Sequence, residues 1–446
     1  MLLPVNAVAH VGSPDVFLDA LAGPHRVFVT IRPPHAIPGV AQVEVLTTSD
    51  DIKEVRIVPL PLTGPGAQFA PVADIATRAS DNPRLFTGTL WMMTAGAWQV
   101  RVAVSGERGE GQISVPVPTL PKATLAMHPA LGVLLAVLML LLCSGLVAII
   151  ATIARDAGLE PGDRPNPARV RRGRIAGAIA SVIVTAAIYF GNTWWGAEAA
   201  TYSSYVYKPL ELTPIVTDRE ILRLELRDPG WIRSRRLDDF VRDHGHLMHL
   251  FVVSPALDRL WHLHPRETGS GTFEHSLPPM PAGRYDLFAD VVHSTGISET
   301  ATSTLDARAI AGTPLAGDDS AWAASDATPA RIVWMNQSEP LKPKQLTAFT
   351  FRVDDESGQP ARDLELYMGM PGHAVFMKRD RTVFAHVHPS GSAPMAALEI
   401  ASKAALTHTQ HASAIGPTIS FPYGFPEPGD YRIFVQAKRS GRNQIQ

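Results

Sequence analysis

The chain has 446 residues, too many for one ordinary core at roughly 150 residues per domain and enough for about three folded units. Its 40 basic and 42 acidic side chains leave a formal net charge of −2, which provides no general attraction for nucleic acid. The single cysteine, Cys143, excludes a disulfide framework and a cysteine-rich zinc site. A metal here must be held by His, Met, Asp, Glu or backbone groups.

The first nine residues end in Ala7-Val8-Ala9, the small-x-small pattern of a signal peptidase site, without a basic start or a full apolar stretch. Cleavage after Ala9 would leave His10 with a free amino group beside its imidazole, a pair that resembles the histidine brace of some secreted copper proteins. An ordinary exposed histidine is the alternative reading. Residues 10–118 alternate polar and apolar side chains over short runs at 27–31, 41–46, 55–60, 85–92, 98–104 and 112–117, punctuated by Pro and Gly. That pattern predicts an antiparallel β-sandwich. The segment from Leu90 through Gly96 and Trp98 to Val104 resembles the strand, Gly-Trp turn and strand of small extracytoplasmic immunoglobulin-like domains of the YtkA and FixH kind. Met92, Met93 and the tryptophans are expected in its core.

Residues 131–154 carry no charge, and a second apolar run covers 175–195. At about 1.5 Å per residue each is long enough for a bilayer core of roughly 30 Å. Gly and Ala in the second run suit close packing on the first, so 131–195 is expected to be a transmembrane hairpin. Its loop, 155–174, holds Arg155, Arg164, Arg169, Arg171, Arg172 and Arg174, and basic loops stay cytoplasmic. Both ends of a multi-pass inner-membrane or plasma-membrane protein are then extracytoplasmic. Trp194, Trp195, Tyr202, Tyr205 and Tyr207 are expected to form an interfacial aromatic belt.

Beyond the membrane the same pattern occurs twice: His246-x2-His249-x12-His262-x-His264-Pro265, then Met370-x2-His373-x12-His386-x-His388-Pro389. Pro281-Ala-Gly283-Arg-Tyr285 is matched by Glu427-Pro-Gly429-Asp-Tyr431. Equal spacing marks an internal repeat, which predicts one His-rich β-sandwich at 212–308, a linker at 309–330 and a His/Met-rich one at 331–446. An insertion in the second carries Met395, His408 and His411, and the chain reaches Gln446 where the first continues into another strand, so the second is expected to lack a final strand or to borrow one.

In a strand alternate side chains share a face, so His262 pairs with His264 and His386 with His388. The expected ligands are His246, His249, His262, His264 and His293 in the first module, and Met370, His373, His386 and His388 in the second, with Met368 and Met377 nearby. Asp243, His244 and Asp290 are supporting candidates. Imidazole suits copper, zinc, nickel and iron, and thioether favours Cu(I), so copper is the leading cofactor and zinc the second.

The combination of Asp243-His244-Gly245-His246-Leu247-Met248-His249, Trp261-His262-Leu263-His264-Pro265 and Pro281-Ala-Gly283-x-Tyr285 resembles uncharacterised bacterial membrane proteins with cupredoxin-like or YtkA-like domains. The resemblance implies a mainly β protein with immunoglobulin-like or cupredoxin-like extracytoplasmic sandwiches and a heavy-metal theme. The expected role is copper binding, sensing or delivery, with a metal donor or acceptor protein as partner. Two other readings stand beside it. One is a non-metal envelope interaction protein. The other is a metal-dependent oxidoreductase, because His262-x-His264-x2-Glu267 resembles part of the cupin metal motif.

Overall fold

A computed structural model describes residues 15–160, 162–231, 235–324, 331–338, 340–405 and 415–446. His10, His408 and His411 lie outside them. The protein is mainly β, with several sheets and, among the described residues, three α-helices. It divides into two units, residues 123–206 and the remainder.

The smaller unit is helical. Pro129–Asp156 and Pro167–Ser204 each begin with Pro at the start of the first turn, where its missing N–H costs nothing. Asn166 caps the second helix by accepting from the Arg169 amide at 2.9 Å. Both helices are long and apolar enough to cross a membrane. None of the most apolar stretch of the first is buried, so its leucines and isoleucines have no protein core to face. The second helix packs on the first through Gly173, Gly177 and Ala180. A Cβ at Gly173 would stand 2.8 Å from the Ala151 carbonyl oxygen, so only glycine permits this approach. The basic segment is less of a loop than expected: Arg155 ends the first helix, and Arg169, Arg171, Arg172 and Arg174 lie in the second.

The larger unit starts with two sheets around one core. Val16–Ala22, His25–Arg32, Gly39–Thr47, Leu85–Met92 and Thr77–Arg78 form one, in that order. The other runs Asp74–Ile75, Ile52–Pro61, Gly96–Gly106, Gly109–Thr119. Val29, Val43 and Phe86 meet Ile57, Val102 and Val115 between them. All six expected strands lie within these elements, whereas Val16–Ala22 was not foreseen. Met92 is buried as expected, but Trp91 and Met93 are exposed, because Leu90 and Met92 take the inward face of an alternating strand.

The first His module is one long sheet that curls over its own core. Its order is Arg266–Gly269, Thr272–Ser276, Ile221–Arg227, Glu211–Val216, Ser298–Ala307, Gly283–His293, His249–Val253, Arg259–Leu263, Ser320–Ala323. Leu222 and Leu224 from one end meet Leu250, Val252 and Leu287 from the other. The stretch 309–330, read as a linker, supplies that last strand, which pairs with Arg259–Leu263. Tyr207, expected in the aromatic belt, belongs to this unit and packs edge-on against Trp231 at 5.1 Å.

The second module places Arg331–Trp334, Thr347–Asp354 and Thr418–Tyr423 against a sheet built on Tyr431–Arg439, His373–Lys378 and Phe384–Val387. Contrary to expectation it has its own last strand: Arg442–Ile445 turns back on Tyr431–Arg439. The repeat is structural down to single bonds. Asp243 and His246 close a two-residue turn with both central φ angles positive, and Tyr367 and Met370 close the same turn. The Tyr285 hydroxyl donates to the Pro281 carbonyl (2.8 Å) as Tyr431 does to Glu427 (2.9 Å).

The modules meet face to face. Every residue of His249–Val253 is buried, because Leu250 and Val252 enter their own core while Phe251 and Val253 join Val375, Met377, Phe384 and Phe434 of the other module. Phe288 and Phe384 stack at 4.6 Å. On the same faces, further along the strands, stand the histidines. The N-terminal module holds this arrangement from one side. Phe17 packs among Phe349, Phe376 and Tyr423, Asp19 N–H donates to Ser390 O at 2.7 Å, and Ser392 N–H donates to Phe17 O at 3.0 Å. These bonds grip the turn that follows His388.

Candidate metal centre

Eight of the 16 histidines form one continuous group across the two modules: His244, His246, His249, His262 and His264 from the first, His373, His386 and His388 from the second. Two triads stand out within it. His249, His262 and His264 can each present one nitrogen so that all three lie within 4.8 Å of one another, and His244, His373 and His388 can do the same. His386 lies between them, its ring 5.4 Å from His249, 5.7 Å from His262, 5.4 Å from His373 and 4.7 Å from His388.

The hydrogen bonds fix which nitrogens carry protons in the first triad. His249 Nε2 is 3.0 Å from the Asp243 carbonyl, an acceptor only, so this nitrogen donates and Nδ1 of the neutral ring is bare. His262 Nδ1 donates to Gln436 Oε1 at 3.0 Å, leaving Nε2 bare. His264 Nδ1 donates to the Asp319 carboxylate at 3.0 Å, and its buried Nε2 has no partner among the described residues. Each ring therefore offers one bare nitrogen, in a triad whose members bring a nitrogen each within 4.8 Å of one another. Two of these nitrogens, His249 Nδ1 and His262 Nε2, face each other at 3.1 Å, a repulsive arrangement unless a cation lies beside both. A ligating imidazole held at its far nitrogen by a carbonyl, amide or carboxylate is what a metal site requires.

The second triad depends on the first module. Position 368 in the second turn is Met, and His244 from the first turn crosses over instead. Its Nδ1 donates to the Met368 carbonyl at 2.9 Å, and its Nε2 meets His388 Nε2 at 3.2 Å. His373 is fully buried, and among the described residues neither of its ring nitrogens has a hydrogen-bond partner. His386 leans on Asp290 (Nδ1 to Oδ2, 3.5 Å) and its Nε2 is likewise unpartnered. Buried polar atoms without partners are rare and ask for an explanation.

Burial, followed by the nearby imidazoles, pushes His249 and His373 well below the ordinary histidine pKa. Burial lowers His262, His388, His264 and His244 as well. These rings are neutral at pH 7, the state that binds metals. Asp319 is held below the usual carboxylate range: burial opposes this, but hydrogen bonds from His264 and His275 prevail.

Seven of the nine expected ligands fall in or beside the group, with His246 stacked on His264 at 4.0 Å and paired with Asp318 at 3.1 Å. His293 does not belong. His249 pairs with Asp290, so His293 lies three residues, about 10 Å, further along the strand, where it bonds Asp239 at 2.7 Å. Met370 holds the turn position of His246, and no imidazole is gained there. Met377 is interface core. Asp243 is a helix anchor, accepting from the Ala396 amide at 2.8 Å. Glu267 is exposed on an outer strand, on the wall of the cleft that His246 and His264 also line. Asp318, Asp319 and Gln436 were missed. The aspartates sat in the supposed linker, and only the position of Gln436 opposite His373, equivalent to Asp290 opposite His249, could have signalled it.

The site borders an open cleft of about 1000 Å³ whose wall includes His246, His264, His275, Arg242, Arg266 and Asp318. A second, smaller cavity of about 130 Å³ touches His249, His386, His388 and Asp290.

A family described as a domain of unknown function, DUF8832, matches residues 217–309 and 329–446, the two stretches that carry the repeated motif. No curated protein matches. Among solved structures the chain is similar to Salmonella alpha-2-macroglobulin reacted with methylamine (10% identity, TM-score 0.20, 100% of this chain and 24% of that one). It is also similar to dimeric latent PorU from Porphyromonas gingivalis (10%, 0.14, 92% and 31%). A third likeness is to a putative membrane anchored protein from Corynebacterium diphtheriae (8%, 0.17, 97% and 92%). Scores this low carry no argument about fold or activity.

Proposed function

We propose that this is a membrane-anchored, extracytoplasmic copper-binding protein that stores, senses or delivers the metal. The observation that carries the reading is that His249, His262 and His264 each bring a nitrogen within 4.8 Å of the others, with each ring fixed at one nitrogen by Asp243, Gln436 or Asp319. Among divalent ions an imidazole site binds Cu(II) most tightly, which favours copper over zinc. Two apolar helices joined by an arginine-rich segment support an inner-membrane or plasma-membrane hairpin with both β regions outside the cytoplasm. The paired tyrosines, bonded back to the chain four residues upstream, support an immunoglobulin-like or cupredoxin-like ancestry for the two modules. The cleft at His246 suits exchange with a metal donor or acceptor.

The test is competition titration of the detergent-solubilised full chain with Cu(I), Cu(II) and Zn(II), beside a His249→Ala/His373→Ala variant. Tight copper binding lost in the variant is expected. Equal, weak binding by both proteins would refute the reading.

A further inference from the structure

The two triads are neighbours rather than separate sites. His386 is within 5.7 Å, ring to ring, of two members of each, and His244 of one triad is 6.2 Å from His249 of the other. His249, His386 and His388 also line one cavity of about 130 Å³. The Nε2 of His386 has no hydrogen-bond partner among the described residues, and its Nδ1 is turned to Asp290. The sharing is reciprocal: Gln436 of the second module orients His262 of the first triad, while His244 of the first module completes the second.

We propose that the triads form one two-copper centre, shared between the modules, whose ions lie close enough to be magnetically coupled. This rests on the copper-binding reading above and adds stoichiometry and proximity to it. Each ion takes three neutral imidazoles, a set with one or more positions left open, as expected of a site that exchanges or reacts rather than one that is structurally closed. Neither module contains a complete centre. The module interface is therefore the site itself, and filling it clamps the two sheets together.

The experiment uses the full chain in detergent, loaded with excess Cu(II) and desalted, with copper counted by elemental analysis and unpaired spins by integrated EPR. Two coppers per chain are expected, with a signal that integrates to fewer than two spins or is broadened by its neighbour. His373→Leu is expected to retain one copper with one ordinary, uncoupled spin. Should that variant fail to fold, His244→Ala removes a ligand of the same triad from a half-buried turn and is expected to give the same change, from two coppers to one. Two coppers with two full, independent spins would overturn the pair, as would a single copper in the unaltered chain. Either result would leave the copper-binding reading standing. No retained copper at all would remove both.

Discussion

His262 of the first module donates to Gln436 of the second across the module interface, Nδ1 to Oε1 at 3.0 Å. Its counterpart in the repeat, His386, faces the first module's Asp290 at 3.5 Å. Asp290 and Gln436 hold equivalent positions, opposite His249 and His373 on the long strands. Each module thus orients an imidazole of the other.

Gln436→Leu deprives the His262 N–H of its acceptor. Copper affinity should fall about 10–100-fold, the usual effect of losing a group that orients a ligand, and the metal-free protein should lose about 1–3 kcal/mol for the unpaired buried donor. Gln436→Glu restores an acceptor and should retain binding. Titration and urea unfolding of the three proteins check both effects, and unchanged affinity in the Leu variant would contradict the assigned role.

His373 tests whether the site is built for metal or for stability. Both its nitrogens are buried without partners among the described residues, which costs the metal-free protein about 1–3 kcal/mol. His373→Leu should therefore leave metal-free stability unchanged or raise it by about 1 kcal/mol, while emptying its triad. A structural histidine would show the reverse, a marked loss on unfolding by urea.

Metal-free stability should depend steeply on pH. Above the unfolded-state value of 6.5, His249, His262, His373 and His388 are neutral both folded and unfolded, and their contribution is complete. Below it the unfolded chain takes up protons that the folded rings, held well below 6.5, do not. Stability then falls with pH by up to about 1.4 kcal/mol per unit for each ring, until the folded values are reached. Urea midpoints of the metal-free protein at pH 7.5, 6.5 and 5.5 should drop mainly between the last two. Equal midpoints would contradict neutral buried rings.

Gly391 has φ of +130°, and a Cβ there would stand 1.9 Å from the Phe17 carbonyl oxygen. Gly391→Ala should cost about 2 kcal/mol or more, from backbone strain alone, and should loosen the N-terminal module from the turn after His388. Limited proteolysis and thermal unfolding would show it. Phe288→Ala should cost about 3–5 kcal/mol by unstacking Phe384 in the module interface.

The strands around the motifs were legible because alternation alone places His262 with His264 and His386 with His388. The equal spacing was legible because the two modules fold alike. His244 was a supporting candidate for the first module, but its place in the second triad was not legible, since it lies in a turn with positive φ, where alternation says nothing, and its partner His388 is 144 residues away. Asp318 and Asp319 were hidden in an Ala-, Asp- and Thr-rich stretch with the composition of a linker. Its last strand is held by pairing with Arg259–Leu263 rather than by its own pattern. Met377 misled because sulfur that could bind copper also fills a core. What the sequence could not convey is that two modules with separate motifs press their histidine faces together.

The most direct measurement is X-ray absorption on the copper-loaded full chain. A shell of imidazole nitrogens at about 2.0 Å, with the outer scattering of three rings per copper and no sulfur at about 2.3 Å, is predicted. A sulfur shell, or an oxygen shell without imidazole scattering, would contradict a centre built from the buried histidines of both modules.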